Sequence, residues 1–128
     1  MSEKEIIISD ELPAPKGPYS PAIRAGGFVF VSGQGPNDPA TGEVVKRDIQ
    51  QQTRLVLENV RAILVAAGSS LEKVVKTNVY LSDIANFAAM NEVYATFFAA
   101  EPPARTTIQA AALPLGIDVE IDAIALAD

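Results

Sequence analysis

At 128 residues, 48% of them hydrophobic, the chain is long enough to bury a core and reads as a single domain over residues 1–128. Ten Lys and Arg stand against sixteen Asp and Glu, a net charge of −6, and no basic cluster exceeds the pair Lys46-Arg47, so nucleic acid is not an expected partner. Cysteine and histidine are absent, which excludes disulfides, thiolate nucleophiles, Ser-His-Asp triads and Cys- or His-ligated zinc, and leaves catalysis to carboxylates, Arg, Tyr, hydroxyls, backbone groups and water.

In chain order, Glu5-Ile6-Ile7-Ile8-Ser9 reads as a first strand, and Asp10 to Pro21 as a proline-punctuated connection. Ala22 to Ala25, Gly26-Gly27 and Phe28 to Ser32 read as strand, two-residue turn and strand, a hairpin. Gly33 to Gly42 is a loop of turn residues. A helix is predicted from Asp48, its N-cap with Gln51 three residues on, to Ala67, with Gly68 placed for a left-handed end. Ile49, Thr53, Val56, Leu57, Val60, Ile63 and Leu64 form its apolar stripe. Val74 to Leu81 is a strand. Asp83 or Asn86 caps a second helix whose inner side carries Phe87, Met90, Tyr94, Phe97 and Phe98, and which must end near Pro102. A strand over 105–111, a Pro114-Leu115-Gly116 turn and a final strand from Ile117 to Leu126 complete the order βββαβαββ. The pattern predicts an α+β sandwich, a six-stranded mixed sheet with both helices on one face.

Strand alternation puts Arg105, Thr107 and Gln109 on one line and Thr106, Ile108 and Ala110 on the other. In the last strand Ile117, Val119, Ile121, Ala123 and Ala125 line the apolar face, and Asp118, Glu120 and Asp122 line the opposite one. The short turn between these strands suggests that they are neighbours, with the Arg105 line meeting the acidic line on the helix-free face. That face is then either solvated or covered by a partner subunit.

Arg105, at the start of a strand after Pro102-Pro103, is a rigid fork for a planar carboxylate, a contact worth about 1.5–3 kcal/mol. The carboxylate is either a ligand's or that of Asp118, Glu120 or Asp122. Spacing alone favours Glu120 as an exposed strand residue over a water-positioning group. The acidic ladder lacks the loop of a calcium site, and no metal is expected. Ser32-Gly33-Gln34-Gly35-Pro36 lacks the Lys-Ser/Thr of a phosphate-binding loop and reads as a tight turn. Tyr19 is either a hydroxyl donor at a pocket mouth or a loop aromatic, and Asn91 either a ligand donor or a solvent-facing residue. No apolar run reaches the length of a membrane span, and the polar start, Met1-Ser2-Glu3-Lys4-Glu5, lacks the basic and apolar regions of a signal peptide; a cytoplasmic location without membrane association is expected.

Several motifs in one order resemble the RidA (YjgF-type) family of reactive-intermediate imine/enamine deaminases. They are Gly17-Pro18-Tyr19-Ser20, Phe30-Val31-Ser32-Gly33-Gln34, Gln52-Thr53-Arg54 with Val56-Leu57-Glu58-Asn59, Ala66-Ala67-Gly68-Ser69-Ser70-Leu71, Val75-Lys76-Thr77, Met90-Asn91 with Tyr94 and Phe97-Phe98, Pro103-Ala104-Arg105 and Val119-Glu120-Ile121. The resemblance implies a chorismate-mutase-like fold of the bacillus type and a homotrimer with helix-free sheet faces inward and pockets at subunit interfaces. It also implies hydrolysis of 2-iminopropanoate and 2-iminobutanoate to 2-oxo acids and ammonia without cofactor or metal. Arg105 would hold the substrate carboxylate and Glu120 would orient the attacking water, while Tyr19, Ser32, Gly33 and Asn91 match pocket positions. Thr107 departs from the family, many members having cysteine there. The alternatives are a non-catalytic carboxylate-binding or protein-stabilising trimer, an endoribonuclease or translation inhibitor, and a deaminase of another imine.

Overall fold

Gly26 and Gly27 both adopt positive φ, 58° and 85°, a backbone open to glycine at no steric cost. They close the hairpin between β2 (Ala22–Ala25) and β3 (Phe28–Gln34), as the sequence predicts. The structure, a computed structural model, describes residues 3–12 and 14–128; Met1 and Ser2 of the polar start and Pro13 of the proline-punctuated connection lie outside them. The remaining elements are β1 (Glu5–Ile7), α1 (Ile49–Ala66), β4 (Val74–Leu81), α2 (Phe87–Phe97), β5 (Ala104–Gln109) and β6 (Val119–Leu126), in the predicted order. They form an α+β fold with one six-stranded sheet in the order β1-β2-β3-β6-β4-β5, antiparallel at every step except β4–β5.

The first helix is capped at both ends by its own sequence. The Asp48 carboxylate accepts from the Gln51 N–H at 2.8 Å. At the other end Gly68, at φ 79°, lets Ser69 N–H reach the Leu64 carbonyl and Gly68 N–H reach that of Val65, which satisfies two orphan carbonyls. The stripe from Thr53 to Leu64 packs against Val29 and Val31 of β3, Val79 and Leu81 of β4, and the alternate residues Val119, Ile121, Ala123 and Ala125 of β6. The second helix adds Met90, Tyr94 and Phe98 to the same layer, while Phe87, expected inside, is 40% exposed at the open end of α2. Asp83 caps the 3₁₀ turn Ile84–Asn86 that precedes α2, accepting from Ala85 N–H at 2.9 Å.

Two expectations fail, and both bear on function. The strands β5 and β6 are not neighbours: β5 runs parallel to β4 at the sheet edge, and β6 inserts between β3 and β4. Burial explains the choice. Every second residue of β6 is fully buried, which suits a central strand, whereas β5 begins after two prolines and leaves Thr106 and Ile108 exposed, which suits an edge. The second failure follows from register. Arg105, Thr107 and Gln109 stand beside Thr77, Val79 and Leu81, all buried on the helix side, while Glu120 and Asp122 stand opposite Tyr80 and Asn78 on the helix-free side. The cationic line and the acidic line therefore lie on opposite faces of the sheet.

The strand ends also move. β1 stops at Ile7 because Ser9 opens a turn, its carbonyl bonded to Leu12 N–H and its hydroxyl to Glu11 N–H. β6 starts only at Val119 because the Asp118 N–H is taken by the side chain of buried Gln52, at 3.0 Å. Strand β5 ends at Gln109 rather than at 111.

Candidate functional site

On the helix side of the edge strand, Arg105 meets no acid. Its guanidinium lies 4.7 Å from the ring centroid of Tyr94 and 5.5 Å from that of Phe87. Among the described residues the one ion pair is Arg61–Glu58, on the surface of α1. The internal salt bridge to Asp118, Glu120 or Asp122 is thus excluded within the chain, since Glu120 and Asp122 project from the other face and Asp118 is held by Gln52 and Ser82. Aromatic faces stabilise a guanidinium through the ring quadrupole without neutralising it, and a guanidinium held in this way can still receive a planar carboxylate. Tyr94 is fixed in turn by a 2.7 Å hydrogen bond between its hydroxyl and that of Thr77. Burial raises the proton affinity of the Tyr94 phenol, against smaller lowering contributions from Thr77 and the Arg105 charge.

Asn91 lines the same hollow, about 450 Å³, together with Tyr94, Phe98, Pro102 and Arg105. Its amide oxygen is buried and meets no donor among the described residues. A buried acceptor left unpaired is costly, and a ligand N–H or water would relieve it. Thr107 follows Arg105 on the helix-side line, half-buried beside Val79.

The helix-free side holds the second group. Glu120 is half-buried where β6 passes β3, and its carboxyl presses against Gly33. A Cβ at position 33 would overlap that carboxylate, with the Glu120 Cδ only 2.9 Å away, so the glycine is what lets the Glu120 side chain take this position. No described residue donates a hydrogen bond to Glu120. Burial raises its proton affinity above the ordinary carboxylate value, and the nearby charge of Asp122 raises it further.

Ser32 supports this group from behind. Its hydroxyl donates to the Ser20 carbonyl at 2.6 Å, and its N–H to the Pro21 carbonyl at 3.0 Å, stapling the N-terminal loop to β3. That loop brings Tyr19 to the mouth of a cavity of about 310 Å³ lined also by Lys16, Gly33, Leu115, Ile117 and Glu120. The Tyr19 hydroxyl accepts from Lys16 N–H at 3.3 Å while half of the residue stays exposed. Leu115 holds a left-handed φ of 60° at the cavity wall, an unusual conformation for a branched side chain.

The residues singled out from sequence therefore fall into two groups, Arg105, Asn91 and Thr107 on one face, Glu120, Gly33, Ser32 and Tyr19 on the other. Phe87 and Tyr94 were read only as core and turn out to carry the guanidinium. Their spacing, seven residues apart on one helix, is the signal that places them along one edge of α2.

The family model described as Endoribonuclease L-PSP, which covers the YjgF and RidA proteins, matches residues 9–127. The chain belongs to this family. Among RidA-family relatives, a RutC family protein of Pyrococcus horikoshii is 55% identical over 122 residues, 95% of this chain and 97% of that one. The chloroplastic Reactive Intermediate Deaminase A of Arabidopsis thaliana is 46% identical over 123 residues, 96% of this chain and 66% of that one. Escherichia coli TdcF, solved with bound serine, superposes with a TM-score of 0.89 at 45% identity, covering 95% of this chain and 98% of that one. Relatives within the RidA family thus include reactive-intermediate deaminases. No helix of the described residues is long and apolar enough to cross a membrane.

Proposed function

We propose that this protein is a deaminase of reactive imines, hydrolysing 2-iminopropanoate and 2-iminobutanoate to 2-oxo acids and ammonia, at sites completed between copies of the chain in a homotrimer. The observation that carries the reading is the pair of unsatisfied, opposite groups. Among the described residues, Arg105 is a fixed cation with no acid, and Glu120 is a carboxyl with raised proton affinity and no donor. A 2-iminoalkanoate offers a carboxylate for the first and an electrophilic carbon, needing a water held by a proton acceptor, for the second.

The two groups project from opposite faces of one sheet, so a substrate that touches both must lie between copies. The helix-free face supports this assembly: Phe28, Phe30, Ile108 and Leu126 are exposed there at 38% to 48%, an apolar surface of the kind that subunit contacts cover.

In this mechanism Arg105 receives the carboxylate and Asn91 accepts from the iminium N–H. Glu120 takes a proton as water oxygen bonds to C2, forming a tetrahedral carbinolamine. The same proton is returned to nitrogen, Glu120 takes the proton of the carbinolamine hydroxyl as the C–N bond breaks and the carbonyl forms, and the departing ammonia carries that proton away as ammonium. One water is consumed and one ammonium is released per 2-oxo acid. A protonated imine is already a good electrophile, so positioning supplies most of the gain, up to about 7 kcal/mol in favourable cases. The cycle calls on no cofactor or metal. Binding of serine by TdcF supports a pocket that accepts a small amino-acid-like carboxylate.

The test generates 2-iminopropanoate from alanine with an amino-acid oxidase and traps it with semicarbazide. The protein is expected to suppress the trapped product, and Arg105→Ala is expected to lose that suppression. A folded protein that suppresses nothing yet binds 2-oxo acids would be a carboxylate-binding relative without this activity. Cleavage of RNA by the same preparation would instead favour the endoribonuclease reading that the family description names.

A further inference from the structure

Behind Glu120 lies a polar cluster that the deaminase reading does not use. Glu120 and Asp122 alternate onto the same helix-free face of β6, one step apart. Opposite them on β4 stand Tyr80 and Asn78 respectively. Asn78 donates its amide to Asp122 Oδ1 at 2.8 Å. Tyr80, although it is the rung partner of Glu120, leans along the strand and donates its hydroxyl to Asp122 Oδ2 at 3.1 Å. Both oxygens of Asp122 are therefore engaged, while Glu120 turns the other way, onto Gly33, and receives no donor from any described residue.

Hydrogen bonds to a carboxylate favour its charged form. The charge of one carboxylate discourages ionisation of a carboxyl beside it. We propose that Asp122, pinned by Asn78 and Tyr80, is a positioning residue that acts through Glu120, its fixed charge making Glu120 a stronger proton acceptor than a lone strand glutamate. Asp122 itself does not touch substrate in this scheme. The direction of the Glu120 shift, with Asp122 its second cause after burial, agrees. Burial and the Asp122 charge also raise the Tyr80 phenol, which keeps it a donor.

The other groups facing Glu120 do not supply this effect. Strand β3 offers the uncharged Ser32 and Gly33, and the turn from Pro114 to Ile117 carries no charge. Lys16 and Tyr19 of the N-terminal loop line the cavity and would oppose or leave unchanged the shift. Asp118 is clamped by Gln52 and Ser82, and Lys76 is spent on Thr106. In the proposed trimer a second copy's Arg105 also faces the cavity and would lower the proton affinity of Glu120, which makes a compensating anion more useful.

The consequence for turnover rests on the deaminase reading; the protonation itself does not, and the two are tested apart. Carboxyl carbons of the full-length protein, labelled in Glu and Asp, are titrated by NMR, with Glu120→Gln assigning the Glu120 signal. In Asp122→Asn the Glu120 midpoint is expected to move to lower pH. In Asp122→Ser, a second way of removing the same charge, the Glu120 midpoint is expected to move in the same direction. A Glu120 midpoint unmoved in folded Asp122→Asn or Asp122→Ser overturns the proposal. Should Asp122→Asn not fold, the Asp122→Ser titration decides alone. If imine hydrolysis is present, the acid limb of its kcat/KM profile shifts to lower pH in Asp122→Asn in step with the Glu120 midpoint; a limb that stays put while that midpoint moves counts against the coupling to turnover.

Discussion

The two faces of the sheet solve opposite problems with the same economy. On the helix side Arg105 is held by aromatic rings, which fix a cation without neutralising it. On the open side Glu120 is held by a glycine and by burial, which fix a carboxyl without giving it a donor. A stabilising ion pair would have consumed both groups. Their separation by the sheet prevents that within the chain and leaves each available to a ligand, at some cost in stability for the carboxyl. In the proposed assembly the open face of one copy brings its Glu120 to the Arg105 of the next, and the separation becomes the reason the site needs two copies.

The comparison can be broken first at the carboxyl. Glu120→Gln removes the proton acceptor and keeps the shape, and is expected to lower kcat by about 10²–10⁴-fold, measured by the trapping assay. Arg105→Ala is expected to lose about 10- to 100-fold in kcat/KM, the worth of a charge-assisted fork, with little change in melting temperature because no acid is orphaned. Arg105→Lys should recover little, since an ammonium lacks the planar pair of donors. Gly33→Ala sharpens the open-side half: the new Cβ displaces the Glu120 carboxyl, costing about 1–3 kcal/mol of stability by denaturant unfolding and moving the Glu120 titration.

The smallest effect is the most diagnostic of burial. The folded-state pKa of Glu120 is raised above its ordinary value of 4.5, so above the folded midpoint the protein holds a charge it would rather release to water. That penalty is present at neutral pH and disappears as pH falls through the folded midpoint. Glu120→Gln should therefore melt slightly higher than the parent at pH 7, with the gap closing in acid. A variant less stable at both pH values would show that the carboxyl is satisfied by something in solution.

Local chemistry made much of the fold legible. The Gly26-Gly27 turn, the Asp48 and Gly68 ends of α1 and the extent of β4 from Val74 to Leu81 all act through neighbours a few residues apart, and all appear as expected. Strand order did not follow, because the stretch from 110 to 118 shows that the chain returns without showing where. The signal was present in β6, whose unbroken apolar line asks for a central place, and in the Pro102-Pro103 entry of β5, which asks for an edge. Face was harder still. Alternation groups Arg105 with Thr107 and Gln109, but a line of Arg, Thr and Gln looks no more buried than one of Thr and Ile, and only the register with Thr77 decides it. Gln52 was quoted as part of a helix motif. Its burial and its grip on Asp118 depend on a partner 66 residues away.

The central claim, that one substrate is held by Arg105 of one copy and Glu120 of another, is tested most directly by mixing. Arg105→Ala and Glu120→Gln chains, each depleted of most activity alone, are co-expressed with different tags, and hybrid assemblies carrying both tags are purified and assayed on 2-iminopropanoate. The account predicts that hybrids regain activity, because at least one interface in each joins an intact Arg105 to an intact Glu120. Hybrids as inactive as either parent, though assembled, would contradict it.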